Sequence, residues 1–277
     1  MSTREHRHRW LGFAPPGSKH TSLTDALGAL ATALKPLKYA LKLAILRRVP
    51  RLYWAARRAL KGPLEPEMLL VAAFADRTRV ALDIGANFGA WTTQLATQFA
   101  AVHAFEPQGR LAAALSEGAP PNVFVHAVAV SDHPCLTAFR VPRKDLGRST
   151  IEVDNPLPDL DSGAAEIDHR EVLTARLDDL GFAGSVAFIK IDVEGHEVSV
   201  LRGAATLLAE SRPIVLIESE SRHRHDAPSD VRALMHAAGY LELSLDPRGR
   251  NLLFVPSGRQ GPPRVEPVRP RSGLVAI

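Results

Sequence analysis

One stretch constrains the fold of this chain more than any other: Val80-Ala81-Leu82-Asp83-Ile84-Gly85-Ala86-Asn87-Phe88-Gly89. An apolar run reaches an acid, two glycines follow, and a helix-forming segment opens at Ala90. Apolar residues at consecutive positions are what a strand buried on both faces requires. The glycines allow a turn in which bare backbone approaches a ligand closely. The first amides of the next helix point, unpaired, into the same space. Strand, glycine turn and helix in this order form a nucleotide-handling unit of an alternating α/β fold.

The same rhythm continues along the chain. The pattern predicts strands over 79–84, 101–105, 123–130, 186–191 and 213–218. It predicts helices over 64–74, 89–99, 108–116, 197–209 and 229–238. Such alternation implies parallel strands joined by crossover helices, a doubly wound sheet. The runs at 240–245 and 251–255 flank Asp246-Pro247-Arg248-Gly249-Arg250, which predicts a terminal hairpin. Residues 131–185 break the rhythm, with strand-like pieces at 136–141 and 171–177 around a loop rich in Asp, Pro and Gly. A long insertion inside a compact domain usually carries function.

Charge divides the chain. Residues 1–62 hold 13 Lys or Arg against Glu5 and Asp25, so the rest carries 21 basic and 28 acidic residues of the totals of 34 and 30. A basic extension of +11 therefore precedes a body of −7, and no nucleic-acid partner is expected for that body. Residues 1–20 read as a disordered basic tail and 257–277 as a disordered Pro/Gly-rich one. Between them lie a helical extension (21–62) and the main domain (63–256). Leucines at 23, 27, 30, 34, 37 and 41 give the extension one apolar stripe, with a break at Pro36. That stripe either packs on the body, leaving a solvated basic face, or docks on a membrane surface or a partner protein. Cys135 is the single cysteine, which excludes an intramolecular disulfide and a cysteine-built zinc site. No apolar run approaches the ~20 residues of a membrane span, and no signal-peptide core follows the basic start. The expected location is the cytoplasm, with peripheral membrane contact through the extension left open. Oligomeric state is not legible.

The chemistry lies at the strand ends. In an open α/β sheet the ligand sits beyond the carboxyl ends of the strands. Asp83 closes the first strand, Gly85 and Gly89 permit close approach, and Asn87 can donate or accept within the turn. Glu106 ends the second strand, where a carboxylate accepts both hydroxyls of a ribose. The two glycines are spaced differently from those of NAD-binding turns. Together these features point to an adenosine cofactor.

Asp83-Ile84-Gly85-Ala86-Asn87-Phe88-Gly89, Ala104-Phe105-Glu106-Pro107 and Ile189-Lys190-Ile191-Asp192-Val193-Glu194-Gly195-His196-Glu197 resemble the signature segments of the FkbM family of S-adenosylmethionine-dependent methyltransferases. Val200-Leu201-Arg202-Gly203-Ala204 fits the same family, and the resemblance spans about 64–256. It implies a class I methyltransferase fold: a Rossmann-like, seven-stranded, mostly parallel sheet with the last strand antiparallel and helices on both faces. It implies methyl transfer from S-adenosylmethionine, most often to oxygen, with a sugar, glycan or secondary metabolite as acceptor. By position, Asp83, Gly85, Asn87 and Gly89 would line the methionine and ribose part of the cofactor, and Glu106 would hold the ribose. Ala129, Val130, Ser131 and Asp132 would meet the adenine, with Asp132 or a neighbour receiving its amino group.

Asp192, Glu194 and His196 follow the fourth strand and are the candidates for catalysis. A hydroxyl acceptor needs alignment and a base, and histidine titrates near neutrality. A helix cap or turn acceptor is the competing role for Asp192, and a solvent-facing first-turn position the competing role for His196. Glu197 reads as a first-turn acid favoured by the helix dipole. Asp192, Glu194, Glu218 and His223 or His225 also offer magnesium-type ligands, but acids at strand ends are pocket lining more often than ligands. No metal is expected. Arg148, Ser149 and Thr150 in the insertion are candidates for contacting acceptor hydroxyls. The rival readings are an N-methyltransferase, an enzyme of lipid-linked glycans held at a membrane, and a non-catalytic module on the same scaffold.

Overall fold

In the computed structural model the described residues are 65–258 except 144, 158–166, 183 and 245–249, together with 41, 42, 44, 45, 48, 49, 52–54, 56 and 60. Contacts divide the chain after Lys38, and only the unit Tyr39–Ile277 contains described residues. The tail expected over 1–20, the leucine stripe before Leu41 with its break at Pro36, the hairpin turn at 246–249 and most of the tail expected over 257–277 lie outside them.

A 3-10 helix (Pro66–Phe74) leads into β1 (Asp76–Ile84), followed by α1 (Ala90–Leu95), β2 (Phe99–Phe105), α2 (Gly109–Gly118) and β3 (Val123–His126). The insertion contributes β4 (Ala129–Val130), β5 (Leu136–Pro142) and β6 (Ile167–Ala175), with short 3-10 helices at Leu146–Arg148 and Leu177–Leu180. Next come β7 (Val186–Ile191), α3 (Glu197–Arg202), α4 (Ala205–Ser211), β8 (Ile214–Glu218), α5 (Ala227–Ala237), β9 (Tyr240–Ser244) and β10 (Asn251–Pro256). The main sheet runs β3-β2-β1-β7-β8-β10-β9, with β10 antiparallel to both neighbours. This is the expected seven-stranded arrangement, including its antiparallel final strand.

Residue alternation explains why helices cover both faces. Leu82, Ile84, Ile189, Ile191, Val215, Ile217, Leu252 and Phe254 join one apolar core. Their strand neighbours Ala81, Phe188, Ile214, Leu216, Leu253 and Val255 join the other. Each fully buried Leu, Ile or Phe stabilises the fold by ~1.5–3 kcal/mol, so neither face can be left open. Register then makes the central strands end together: Ile84 pairs with Phe105 on one side and Ile191 on the other. The turns leaving β1, β2 and β7 consequently share one rim.

Several elements differ from expectation, among them the helix expected over 89–99, which ends at Leu95 so that Phe99 already belongs to β2. The run 123–130 divides: Val123–His126 pairs with β2, whereas Ala129–Val130 pairs with β6 in a second sheet of order β4-β6-β5. The helix expected over 197–209 breaks at Gly203, where an added Cβ would lie 2.0 Å from the Ser131 carbonyl oxygen. Asp178 then caps the restarted helix from outside, accepting from Thr206 N (3.1 Å) and Leu207 N (2.9 Å), the role a local N-cap residue would otherwise fill. The helix expected before β1 forms, as a 3-10 helix. The strand expected over 171–177 begins at Ile167 and ends at Ala175, with 167–173 paired to β5 and Thr174 and Ala175 paired to β4.

Candidate active site

The turn after β1 has three residues with positive φ: Gly85 (83°), Asn87 (50°) and Gly89 (78°). It curls over the end of β2, so that Gly85 N and Ala86 N both donate to the Phe105 carbonyl, at 2.9 and 3.0 Å. That curl sends Asn87 N to Glu106 Oε2 at 2.8 Å, while Gln108 N donates to Glu106 Oε1 at 2.8 Å. The two turns thereby fix one buried carboxylate, each oxygen keeping lone pairs for a ligand. Burial pushes the Glu106 carboxyl up to about 7, against the pull of those two amides. Asn87 lines the cleft with a buried Oδ1 that has no hydrogen-bond partner among the described residues.

Asp83 and Gly89 stand behind this surface. Asp83 is 1% exposed, accepts from Thr92 Oγ1 at 2.5 Å and is raised by burial to about 6. It fastens α1 to β1 and is not in the cleft wall. Gly89 begins α1 against Leu115, whose Cδ1 would lie 2.3 Å from an added Cβ.

The facing wall is the turn after β7. Asp192, Glu194 and His196 all line the cleft with Ile84, Gly85, Asn87 and Glu106. Consecutive positive φ values at Glu194 (54°) and Gly195 (106°) fold this turn back. The insertion fastens it: the Glu194 carbonyl accepts from Thr150 Oγ1 (2.9 Å) and Asn155 Nδ2 (2.7 Å). The Glu194 carboxylate meets His223 Nε2 at 2.8 Å, outside hydrogen-bond alignment. Burial raises the Glu194 carboxyl. Burial lowers His223, but the neighbouring Glu194 more than offsets that and its net shift is upward.

His196 is held at both nitrogens, by Ser131 Oγ at Nε2 (2.9 Å) and by Glu152 Oε2 at Nδ1 (3.1 Å). That pairing fits a proton on Nδ1 and a lone pair on Nε2 facing the serine hydroxyl. The hydrogen bond from His196 holds the Glu152 carboxyl below its ordinary value. Ser131 and Asp132 follow β4 without lining the cleft, whereas Val128, Ala129 and Val130 do line it. Asp132 pairs with His133 at 2.6 Å. Neither Glu152 nor Asn155 is legible in the sequence as a site residue, because each reaches the Glu194–His196 turn across about 40 residues from an aperiodic loop. His223 is legible there only as an alternative metal ligand.

Behind Asp192 lies Lys190, 1% exposed, with its Nζ 3.7 Å from Asp192 Oδ2. Burial opposes its charge, but Asp192, Glu65, Glu218 and Asp83 together hold its pKa above the ordinary lysine value. Glu218, at the end of β8, is pushed up to about 8, first by the Asp192 charge and then by burial. No group of three or more His, Cys, Asp or Glu among the described residues is arranged to hold a metal ion.

The cleft encloses about 600 Å³ including its open mouth. Residues 83–242 match the sequence family described as the Methyltransferase FkbM domain. The chain belongs to the FkbM methyltransferase family. Among solved structures it is similar to the FkbM methyltransferase of Methylobacillus flagellatus KT, at 18% identity and TM-score 0.44, over 64% of this chain and 44% of that one. It spans less than half the length of that protein. It is also similar to the magnesium protoporphyrin IX methyltransferase of Synechocystis PCC 6803, solved with bound S-adenosylmethionine, at 11% identity and TM-score 0.40, over 69% of this chain and 74% of that one. Comparison with curated proteins gives no match.

The residues lining the cleft fit S-adenosylmethionine as a ligand. Glu106 has free lone pairs for two ribose hydroxyls, the unpartnered Asn87 Oδ1 suits an ammonium, and Val128, Val130, Phe139 and Ile151 offer apolar surface for a flat base. When bound, S-adenosylmethionine supplies an electrophilic methyl on a sulfonium.

Proposed function

We propose that this FkbM protein methylates a hydroxyl oxygen of a sugar, glycan or secondary metabolite, using S-adenosylmethionine. The observation that carries this reading is the pairing of walls across one cleft. The glycine turn and Glu106 form a cofactor-holding side, and Asp192 and Glu194 face it as carboxylates. A hydroxyl is a weak nucleophile until its proton has somewhere to go, and carboxylates within the cleft supply that acceptor. Asp192, beside the buried Lys190 ammonium, takes the acceptor's proton. Glu194, backed by His223, orients the hydroxyl. His196, with both nitrogens engaged, holds the insertion against the cleft through Glu152. Alignment of acceptor and methyl accounts for most of the acceleration.

Calorimetric titration with S-adenosylhomocysteine tests the cofactor half. Wild-type protein binds, and Glu106→Ala weakens binding at least about tenfold because two charge-assisted hydrogen bonds are lost. Equal affinity in the two proteins would remove Glu106 from the cofactor site. A panel of sugar and polyol acceptors, read by S-adenosylhomocysteine formation, tests the other half. Asp192→Ala is expected to lower turnover on any accepted hydroxyl by ~10²-fold or more while S-adenosylhomocysteine still binds. Transfer to amines but to no hydroxyl would overturn the O-methylation reading.

A further inference from the structure

The segment before the main domain exposes large apolar side chains. Leu41, Val49, Leu52 and Leu60 are 60, 44, 66 and 83% exposed. Helical bonds run through the segment, from Val49 N to the Ile45 carbonyl (2.8 Å) and from Tyr53 N to the Val49 carbonyl (2.9 Å). Four large aliphatic groups exposed between Leu41 and Leu60 exceed the scattered apolar exposure of an ordinary surface. Trp54 of the same segment is 7% exposed, and Lys42 Nζ lies 3.5 Å above the ring of Phe88, inside the glycine turn.

Charge identifies the occupant. Between Asp25 and Glu65 the chain has no acid, while Lys35, Lys38, Lys42, Arg47, Arg48, Arg51, Arg57, Arg58 and Lys61 are all basic. A second copy would bring the same cationic surface against itself. An anionic bilayer offers both halves of the match, hydrocarbon for the leucines and negative headgroups for the lysines and arginines. No described helix is long and apolar enough to cross a membrane, so the contact is one of lying on the surface. We infer that residues 41–60 dock this protein onto an anionic membrane surface through Leu41, Val49, Leu52 and Leu60. Because Lys42 of the same segment lies over Phe88, docking sets the cofactor turn close to the lipid, where an acceptor held in the membrane can reach it.

The test is co-sedimentation of the full chain with vesicles of phosphatidylcholine alone and of phosphatidylcholine mixed with phosphatidylglycerol. The expected result is binding to the mixed vesicles about tenfold or more above the neutral ones, weakened by high salt as the headgroup attraction is screened. Leu52→Glu/Leu60→Glu is expected to abolish it while binding S-adenosylhomocysteine like the wild type, which shows the body intact. Wild-type protein that ignores the mixed vesicles overturns the inference, as does a double variant that still sediments with them. A change from dimer to monomer in the double variant, without vesicle binding by either protein, assigns the face to a second copy and equally overturns it.

Discussion

Gly85→Ala is expected to destabilise the protein by roughly 4 kcal/mol or more and to remove S-adenosylhomocysteine binding with it. The added Cβ would lie 1.8 Å from the Asp192 carbonyl oxygen and 2.9 Å from its carbon, both backbone atoms. No rotamer change relieves such an overlap, so the turns leaving β1 and β7 must separate. Separation breaks the bond from Asp192 N to the Ile84 carbonyl (2.9 Å) and withdraws Asp192 from the wall facing Glu106. The positive φ of 83° adds its own cost for a residue with a side chain. Gly89→Ala is the comparison. It shares the strain, with φ at 78°, but its new Cβ meets only the Leu115 Cδ1 methyl, the mobile end of a side chain. Thermal unfolding should show a loss of about 1–2 kcal/mol there, with cofactor binding retained. Equal losses at the two positions would mean that conformation alone, and not the approach of the two turns, makes Gly85 necessary.

That contrast also marks what the sequence discloses. Both glycines are legible as turn glycines, because a strand, an acid and a helix start surround them. What each one touches is not legible, since Asp192 lies more than a hundred residues beyond Gly85. The sheet order follows from apolar runs spaced by helical segments, and β7, buried at all six positions, is the plainest strand of all. Pattern fails where one apolar run serves two partners, as at 123–130, where the choice between β2 and β6 is made by packing. It fails again at Gly203, where α3 ends against the Ser131 carbonyl at a distance that leaves no room for a side chain. The candidate site divides in the same way. Gly85, Asn87, Glu106, Asp192, Glu194 and His196 are placed on one cleft by the ends of strands the sequence predicts. Glu152, Asn155 and His223 join them from a loop and a distant turn, and a loop residue carries no periodic signal of where it will reach.

The concentration of buried acids predicts an unusual pH dependence of stability. Burial raises Asp83 to about 6, Glu106 to about 7 and Glu197 to about 7, and the Asp192 charge with burial raises Glu218 to about 8. A carboxyl raised in the folded state contributes fully to stability below its unfolded pKa and loses that contribution as pH rises through its folded one. The loss therefore runs from about pH 4 to about 8. His223, raised by Glu194, acts in the same direction above its ordinary value. Glu152 and Glu220 are lowered and act oppositely, but their contribution is lost only as pH falls below the ordinary carboxylate range. The ligand-free protein is thus expected to be most stable near pH 5 and to lose on the order of several kcal/mol by pH 8, at ~1.4 kcal/mol for each tenfold gain in proton affinity that a buried carboxyl acquires on folding. Glu218, partly open to solvent, contributes less than its raised pKa suggests. Midpoints of thermal unfolding across this range check the slope, and a flat or rising profile would mean that these carboxyls are ionised and matched by Lys190 and its surroundings. Cofactor should oppose the fall. On the proposed reading ribose hydroxyls would donate to Glu106 and favour its ionised form, so the increase in midpoint caused by S-adenosylhomocysteine should grow from pH 6 to pH 8. Glu106→Ala should remove that growth, linking the charge stored in the fold to the ligand it awaits.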